Sequence, residues 1–389
     1  MNLLHFLPIL LLTLSACNGS DDNKVTAPLP EITIFPVSKP EGNTNSVFDF
    51  EVRLSKASDK PVKVDYATKD VTAVAGEDYV ATSGTLDFDI GETVRSIAVT
   101  VLGDTLREDD EIFHIVLSNP VNAVLGNTTG IGTIRNDDTF ILIDDTGFSS
   151  PLSYAGWSLV WQDEFDGSGI DPANWKHELG ASGWGNNEWQ NYTARPENSF
   201  VTGGKLVIEA RKENYSGSNY TSARMITAGL KEFQYGRVDI RAKLPEGQGI
   251  WPALWMLGSD FWTNGWPRCG EIDIMEIIGN KPAELHGTIH WDNGGSHASY
   301  GGSTTLPSGK FSDQFHVFSI VWDAQHIRWL LDNEQFHIVD ITPAGLSEFH
   351  QKFFFIFNVA VGGNWPGYPD ATTVFPQRML VDYIRVFQQ

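Results

Sequence analysis

Cysteine is nearly absent from this 389-residue chain, with only Cys17 and Cys269, so no disulfide framework holds it and its hydrophobic cores must do so. Basic residues are also scarce. Against 49 Asp and Glu stand 27 Lys and Arg, a net charge of −22, which argues against nucleic acid, anionic membrane surfaces and strongly anionic polymers as partners. Long helical periodicities are missing, and no H-E-x-x-H spacing supports a catalytic zinc. The one sustained apolar run, Leu3–Leu14, is far below membrane-spanning length.

What is present centres on Arg268–Ile277, which sets three carboxylates into six residues of a strand-like apolar run. Alternation turns Cys269, Glu271 and Asp273 to one face and Gly270, Ile272 and Ile274 to the other. Glu276 breaks that parity. One extra residue at Ile274-Met275, a β-bulge, would return its carboxylate to the face of Glu271 and Asp273. Two carboxyls roughly 5–5.5 Å apart are the arrangement of a retaining glycosidase. Glu271 is then the nucleophile and Glu276 the acid/base, with Asp273 between them holding Glu271 and helping to keep Glu276 protonated. Charges about 5.5 Å apart at an effective dielectric of ~20 repel by about 3 kcal/mol, or roughly two pKa units. Cys269 shares that face and is read as a small filler.

The run Gly270–Glu276 with Ile277-Ile278-Gly279 closely resembles the signature of glycoside hydrolase family 16 in its bulged, laminarinase form. The resemblance extends through Gly249–Met256, His286–Trp291 and Gly362–Gly367. It implies a β-jelly roll over Tyr154–Gln389 whose concave face forms an open cleft, and an endo-hydrolase of laminarin-like β-1,3-glucan, with mixed-linkage glucan a side substrate. Another polymer such as a galactan, or non-catalytic β-glucan binding on the same fold, is the alternative. Trp251 and Trp255 share the cleft parity as platforms for sugar C–H faces, with indole N–H groups left for hydroxyls. By resemblance, Trp266 joins them, and Asn186, Arg224, His290 and Gln377 bond sugar hydroxyls. No cofactor is implied for catalysis. A structural calcium is implied on the convex side at Glu164, the carbonyl of Gly204 and Asp382.

Glu31–Asp138 carries short alternating β-branched segments divided by Gly, Asn and Asp, the pattern of an all-β sandwich. Segments from Glu41-Gly42 through Ala75–Tyr79 and Glu108–Glu111 to Asn136–Asp138 resemble a Calx-beta domain, an immunoglobulin-like sandwich. With 19 acidic against 9 basic residues it suits calcium, and the matching acids are Glu41, Asp78, Asp104, Glu108, Asp110 and Asp138. Having no tryptophan, it reads as a spacer or adhesion module rather than a sugar binder.

The start of the chain resembles a bacterial lipoprotein signal: residues 1–16 are the leader and Cys17 in Leu14-Ser15-Ala16-Cys17 the lipidated residue. Residues 17–30 are a polar tether and 139–153 a linker. The expectation is an exported, outer-membrane, monomeric lipoprotein that touches membrane only through its lipid.

Overall fold

The computed structural model describes residues 28–389, Asp109 and Thr139 excepted. The leader, Cys17 and most of the tether lie outside the described residues. Among those described, no helix is long and apolar enough to cross a membrane. The described residues form two compact units, 28–104 with 108–137 and 105–107 with 138–389.

The first unit is a sandwich. Its four-stranded sheet runs Val94–Val101, Ser46–Leu54, Glu31–Ile34, Val124–Leu125, and its five-stranded sheet runs Val37–Pro40, Thr129–Arg135, Glu111–Val121, Val62–Asp70, Ser83–Phe88. Along the two central strands alternate residues are buried, as a half-covered strand requires: Phe48, Phe50 and Val52 from one sheet meet Phe113, Ile115 and Leu117 from the other. Tyr79 stacks on Phe113 with ring centres 4.4 Å apart.

The second unit is a jelly roll of two eight-stranded antiparallel sheets. One contains Ser199–Thr202, Lys205–Ala210, Gln377–Gln388, Gly236–Lys243, His316–Trp322, His326–Leu331 and Glu334–Asp340. The other carries the site, on β1 (Ile250–Gly258), β2 (Glu271–Glu276), β3 (Glu284–Asp292), β4 (His297–Thr305) and β5 (Phe353–Val361), in the order β5-β1-β2-β3-β4. Leu254 and Met256, Ile272 and Ile274, Leu285 and Ile289, and Phe355 and Phe357 point inward from this sheet. They pack with Ile240, Phe318, Ile320, Val381 and Ile384 of the other. At about 1.5–3 kcal/mol for each buried side chain, this layer fixes the strands whose opposite faces build the cleft.

The segment read as a linker lies on this unit. Ile141 and Ile143 pack against Phe200, Val207, Phe315 and Leu380, and the backbone N–H of Ser150 donates to the Tyr383 hydroxyl at 2.6 Å.

Candidate active site

The strand β2 is bulged where the carboxylate spacing requires it. Against β3, Asp273 pairs with Thr288 and Glu276 with His286, so Ile274 and Met275 together oppose Gly287. Against β1, Trp255 faces Asp273 and Leu254 faces Met275, which leaves Ile274 as the extra residue. Ile274 and Met275 are both buried, while Glu271, Asp273 and Glu276 all line the cleft. Behind the bulge lies Trp329, whose indole N–H donates to the Asp273 carbonyl at 2.8 Å. A Cβ at Gly287 would come within 2.4 Å of that indole, so only glycine admits the tryptophan there.

The cleft has a volume of about 630 Å³ and gathers most of the residues expected to hold sugar. Trp251, Trp255, Trp266, Asn186, Arg224 and His290 all line it. The guanidinium of Arg224 lies 4.9 Å from the Trp184 ring and 4.7 Å from that of Trp255, and its Nε donates to Glu178 at 2.6 Å. His290 Nε2 lies 3.2 Å from Asp273 Oδ2 and 3.6 Å from Glu271 Oε1.

Electrostatics follow from confinement. Burial, then the charge of Asp273, pushes the Glu276 carboxyl up to about 8, against opposing effects of His290 and the Trp251 indole. Burial raises Asp273 to about 8. Glu271 is raised by burial and by Asp273, with His290 opposing. Three carboxyls on one face cannot all ionise, so the cluster retains proton near neutral pH while His290 and Arg224 favour charge at Glu271. That combination allows one carboxylate to attack while another donates a proton.

Four expectations change. Gln377 does not line the cleft: its side-chain oxygen accepts from the Glu246 backbone and its amide donates to the Val374 carbonyl, fixing a loop. The indole N–H groups of the platforms are already engaged, Trp251 donating to Glu276 at 3.0 Å and Trp255 to Asn358 at 2.7 Å. The calcium set Glu164, Gly204 and Asp382 does not fit an ion, because both carboxylates are neutralised by protein cations. Arg385 grips Glu164 through two bonds of 2.7 Å, and Lys205 and Arg241 meet Asp382 at 2.8 and 2.7 Å. Of the acids matched in the first unit, Asp78 and Glu108 do converge, with Glu111 as their third member, and their ligand atoms lie within 4.8 Å of one another. Asp110 instead accepts from the Asn136 backbone at 3.0 Å, and Asp138 falls in the second unit.

Sequence reasoning missed several cleft residues. Trp365 stands in a segment already singled out, and Trp184 and Glu188 each lie two residues from Asn186, whereas Glu178, Phe354 and Asn358 stand in no motif and are brought in by strand packing, and Phe261 by the short helix Phe261–Asn264. His297 is a further one. Cys269 is fully buried among Leu257, Phe354 and Ile356, and burial pushes its thiol up to about 12, so it is inert packing.

Residues 186–385 match the model of glycosyl hydrolases family 16, and residues 35–146 match that of the Calx-beta domain. A beta-glucanase of Rhodothermus marinus is 45% identical over 250 residues, covering 60% of this chain and 85% of that one. A glucan endo-1,3-beta-glucosidase of Cryptopygus antarcticus is 39% identical over 234 residues, covering 56% and 84%. The solved laminarinase catalytic domain of Thermotoga maritima superposes with a TM-score of 0.56 at 49% identity, over 60% of this chain and 98% of that one. With its bulged strand of three carboxylates on a jelly roll, and with the family match running over half its length, the chain belongs to glycosyl hydrolase family 16.

Proposed function

We propose that the chain is a retaining endo-hydrolase of β-1,3-glucan of the laminarin type, acting on mixed-linkage β-1,3-1,4-glucan as a side substrate. The observation that carries the reading is the cleft itself, open along a sheet, walled by Trp251, Trp255, Trp266 and Trp365, with Glu271, Asp273 and Glu276 at its floor. The names of the relatives support the choice of glucan over galactan.

In this mechanism Glu271 attacks the anomeric carbon while Glu276 protonates the departing glycosidic oxygen, leaving a glycosyl ester on Glu271. Glu276, now ionised, takes a proton from water as that water attacks the same carbon, releasing a sugar of unchanged anomeric configuration and restoring both groups. His290 and Asp273 orient Glu271, and the Trp251 indole stabilises Glu276 in its ionised form.

The first unit is proposed to bind calcium through Asp78, Glu108 and Glu111. Oxygen donors of that charge suit the ion, and Glu111 Oε2 is buried without a hydrogen-bond partner. The export reading is retained as a proposal: Cys17 carries lipid and anchors the protein at an outer membrane. Labelling with a fatty-acid analogue that is lost in Cys17→Ala supports it, and unaltered labelling in that variant refutes it.

The test of activity is reducing-end release by the full-length chain from laminarin, mixed-linkage glucan and agarose in parallel, with Glu271→Gln as the blank. Fastest cleavage of laminarin to short oligosaccharides is expected. Cleavage of agarose alone keeps the chemistry and overturns the substrate.

A further inference from the structure

His297 opens β4 and is exposed at one end of the cleft, where neither the carboxylate mechanism nor the sugar platforms require it. The four-residue turn Asn293–Ser296 sets its place: Asn293 N–H donates to the Ser296 carbonyl at 2.8 Å and Gly295 N–H to the Asp292 side chain at 3.0 Å. Both Gly294 and Gly295 have positive φ, 65° and 92°, so the tight return suits glycine. It pairs Asp292 with His297 and His290 with Ser299, making His290 and His297 diagonal neighbours on one face. Their rings stack with centres 5.1 Å apart at 15°, and Trp266 covers His297 at 4.7 Å. The link is His290 Nδ1 to His297 Nε2, at 2.8 Å.

The other nitrogen of His290 faces carboxylates. Asp273 Oδ2, at 3.2 Å from Nε2, is buried and has no hydrogen-bond partner of good geometry, and Glu271 Oε1 lies at 3.6 Å. These contacts are attractive to a carboxylate only if Nε2 carries a proton. A neutral His290 then presents a lone pair at Nδ1, which His297 Nε2–H satisfies.

We propose that His297 is a positioning residue that fixes His290 as the neutral tautomer with its proton on Nε2, so that His290 holds Glu271 and Asp273 for attack without becoming a full cation beside them. The proposal rests on the hydrolase reading above. The charged groups facing His290 are Glu271, Asp273 and Glu276 from β2 and His297 from β4, with Asp292 of its own strand 4.0 Å from Arg268. An N–H of His297 directed at Nδ1 requires a bare nitrogen there, since two donors would otherwise meet. Burial holds His297 below the usual histidine range.

The experiment compares full-length wild type, His297→Ala and His297→Gln on a laminari-oligosaccharide, with 15N shifts of the histidine rings recorded without substrate. Gln places an amide donor near the position of Nε2. In His297→Ala, kcat is expected to fall about tenfold with KM changed less than about twofold. Because Nδ1 is then open to protonation, the acidic limb of kcat/KM should move to higher pH by about half a unit. His297→Gln should restore both. The 15N shifts should report the Nε2–H tautomer of His290 in wild type and in His297→Gln, and its loss in His297→Ala; this readout stands whether or not the substrate assignment does. A wild-type pH profile in His297→Ala, or an Nδ1–H tautomer in wild type, overturns the proposal, as does equal impairment of both variants with lowered melting temperatures.

Discussion

The indole N–H of Trp251 donates to Oε1 of Glu276 at 3.0 Å, tying the nearest aromatic platform to the proposed acid/base. The bond favours the ionised carboxylate and so lowers a pKa that burial raises. In Trp251→Phe the platform survives and the bond does not. The Glu276 pKa should rise, moving the basic limb of kcat/KM up by about half a unit. An unmoved limb would show that the indole is only a wall.

The Glu276 carboxyl should cost stability. Unfolded, it ionises near 4.5; folded, it holds its proton to about 8. Between those values the folded state binds more protons, so stability falls as pH rises through the window and stays lowered above it. Glu276→Gln should therefore melt higher than wild type at pH 8, by about 2–5 °C, with the difference vanishing near pH 4. The margin is modest because Glu276 keeps some contact with cleft solvent. A lower melting temperature at pH 8 would contradict the assigned shift.

Arg224 lies close to two indoles, with its Nε on Glu178. A lysine ammonium keeps the charge but cannot lie flat between rings. For Arg224→Lys, KM on laminarin should rise about tenfold while kcat stays within about threefold. An equal fall in kcat would place Arg224 among groups acting in the transition state.

Calcium should act on the first unit. Burial and the charge of Asp78 push Glu111 up to about 8, a strain that a divalent ion would relieve. Added calcium should raise the melting transition of that unit, and Glu111→Gln should abolish the rise. Chelator should leave glucan hydrolysis unchanged, since Glu164 and Asp382 are held by Arg385, Lys205 and Arg241.

Much of this site was legible in sequence because strand alternation is local. Parity placed Glu271 with Asp273, and the misfit of Glu276 pointed to the bulge now seen opposite Gly287. Residues whose role depends on long-range packing were not legible. Glu178 and Asn358 reach the cleft on strands distant in sequence, and His297 does so through the pairing of β3 and β4. The calcium expectation changed for a related reason: the acids were visible in the sequence, but the arginines and lysine that neutralise them come from other strands. Indole N–H groups counted as free were engaged because part-buried polar groups find partners within the fold.

The most direct test follows the anomeric proton by NMR during the first minutes of laminari-oligosaccharide hydrolysis by the full-length chain, with Glu271→Gln and Glu276→Gln beside it. Attack by Glu271 followed by water predicts that the β anomer appears first and mutarotates afterwards, with both variants reduced by about 10⁴-fold. Initial release of the α anomer, or wild-type turnover in either variant, would contradict the account.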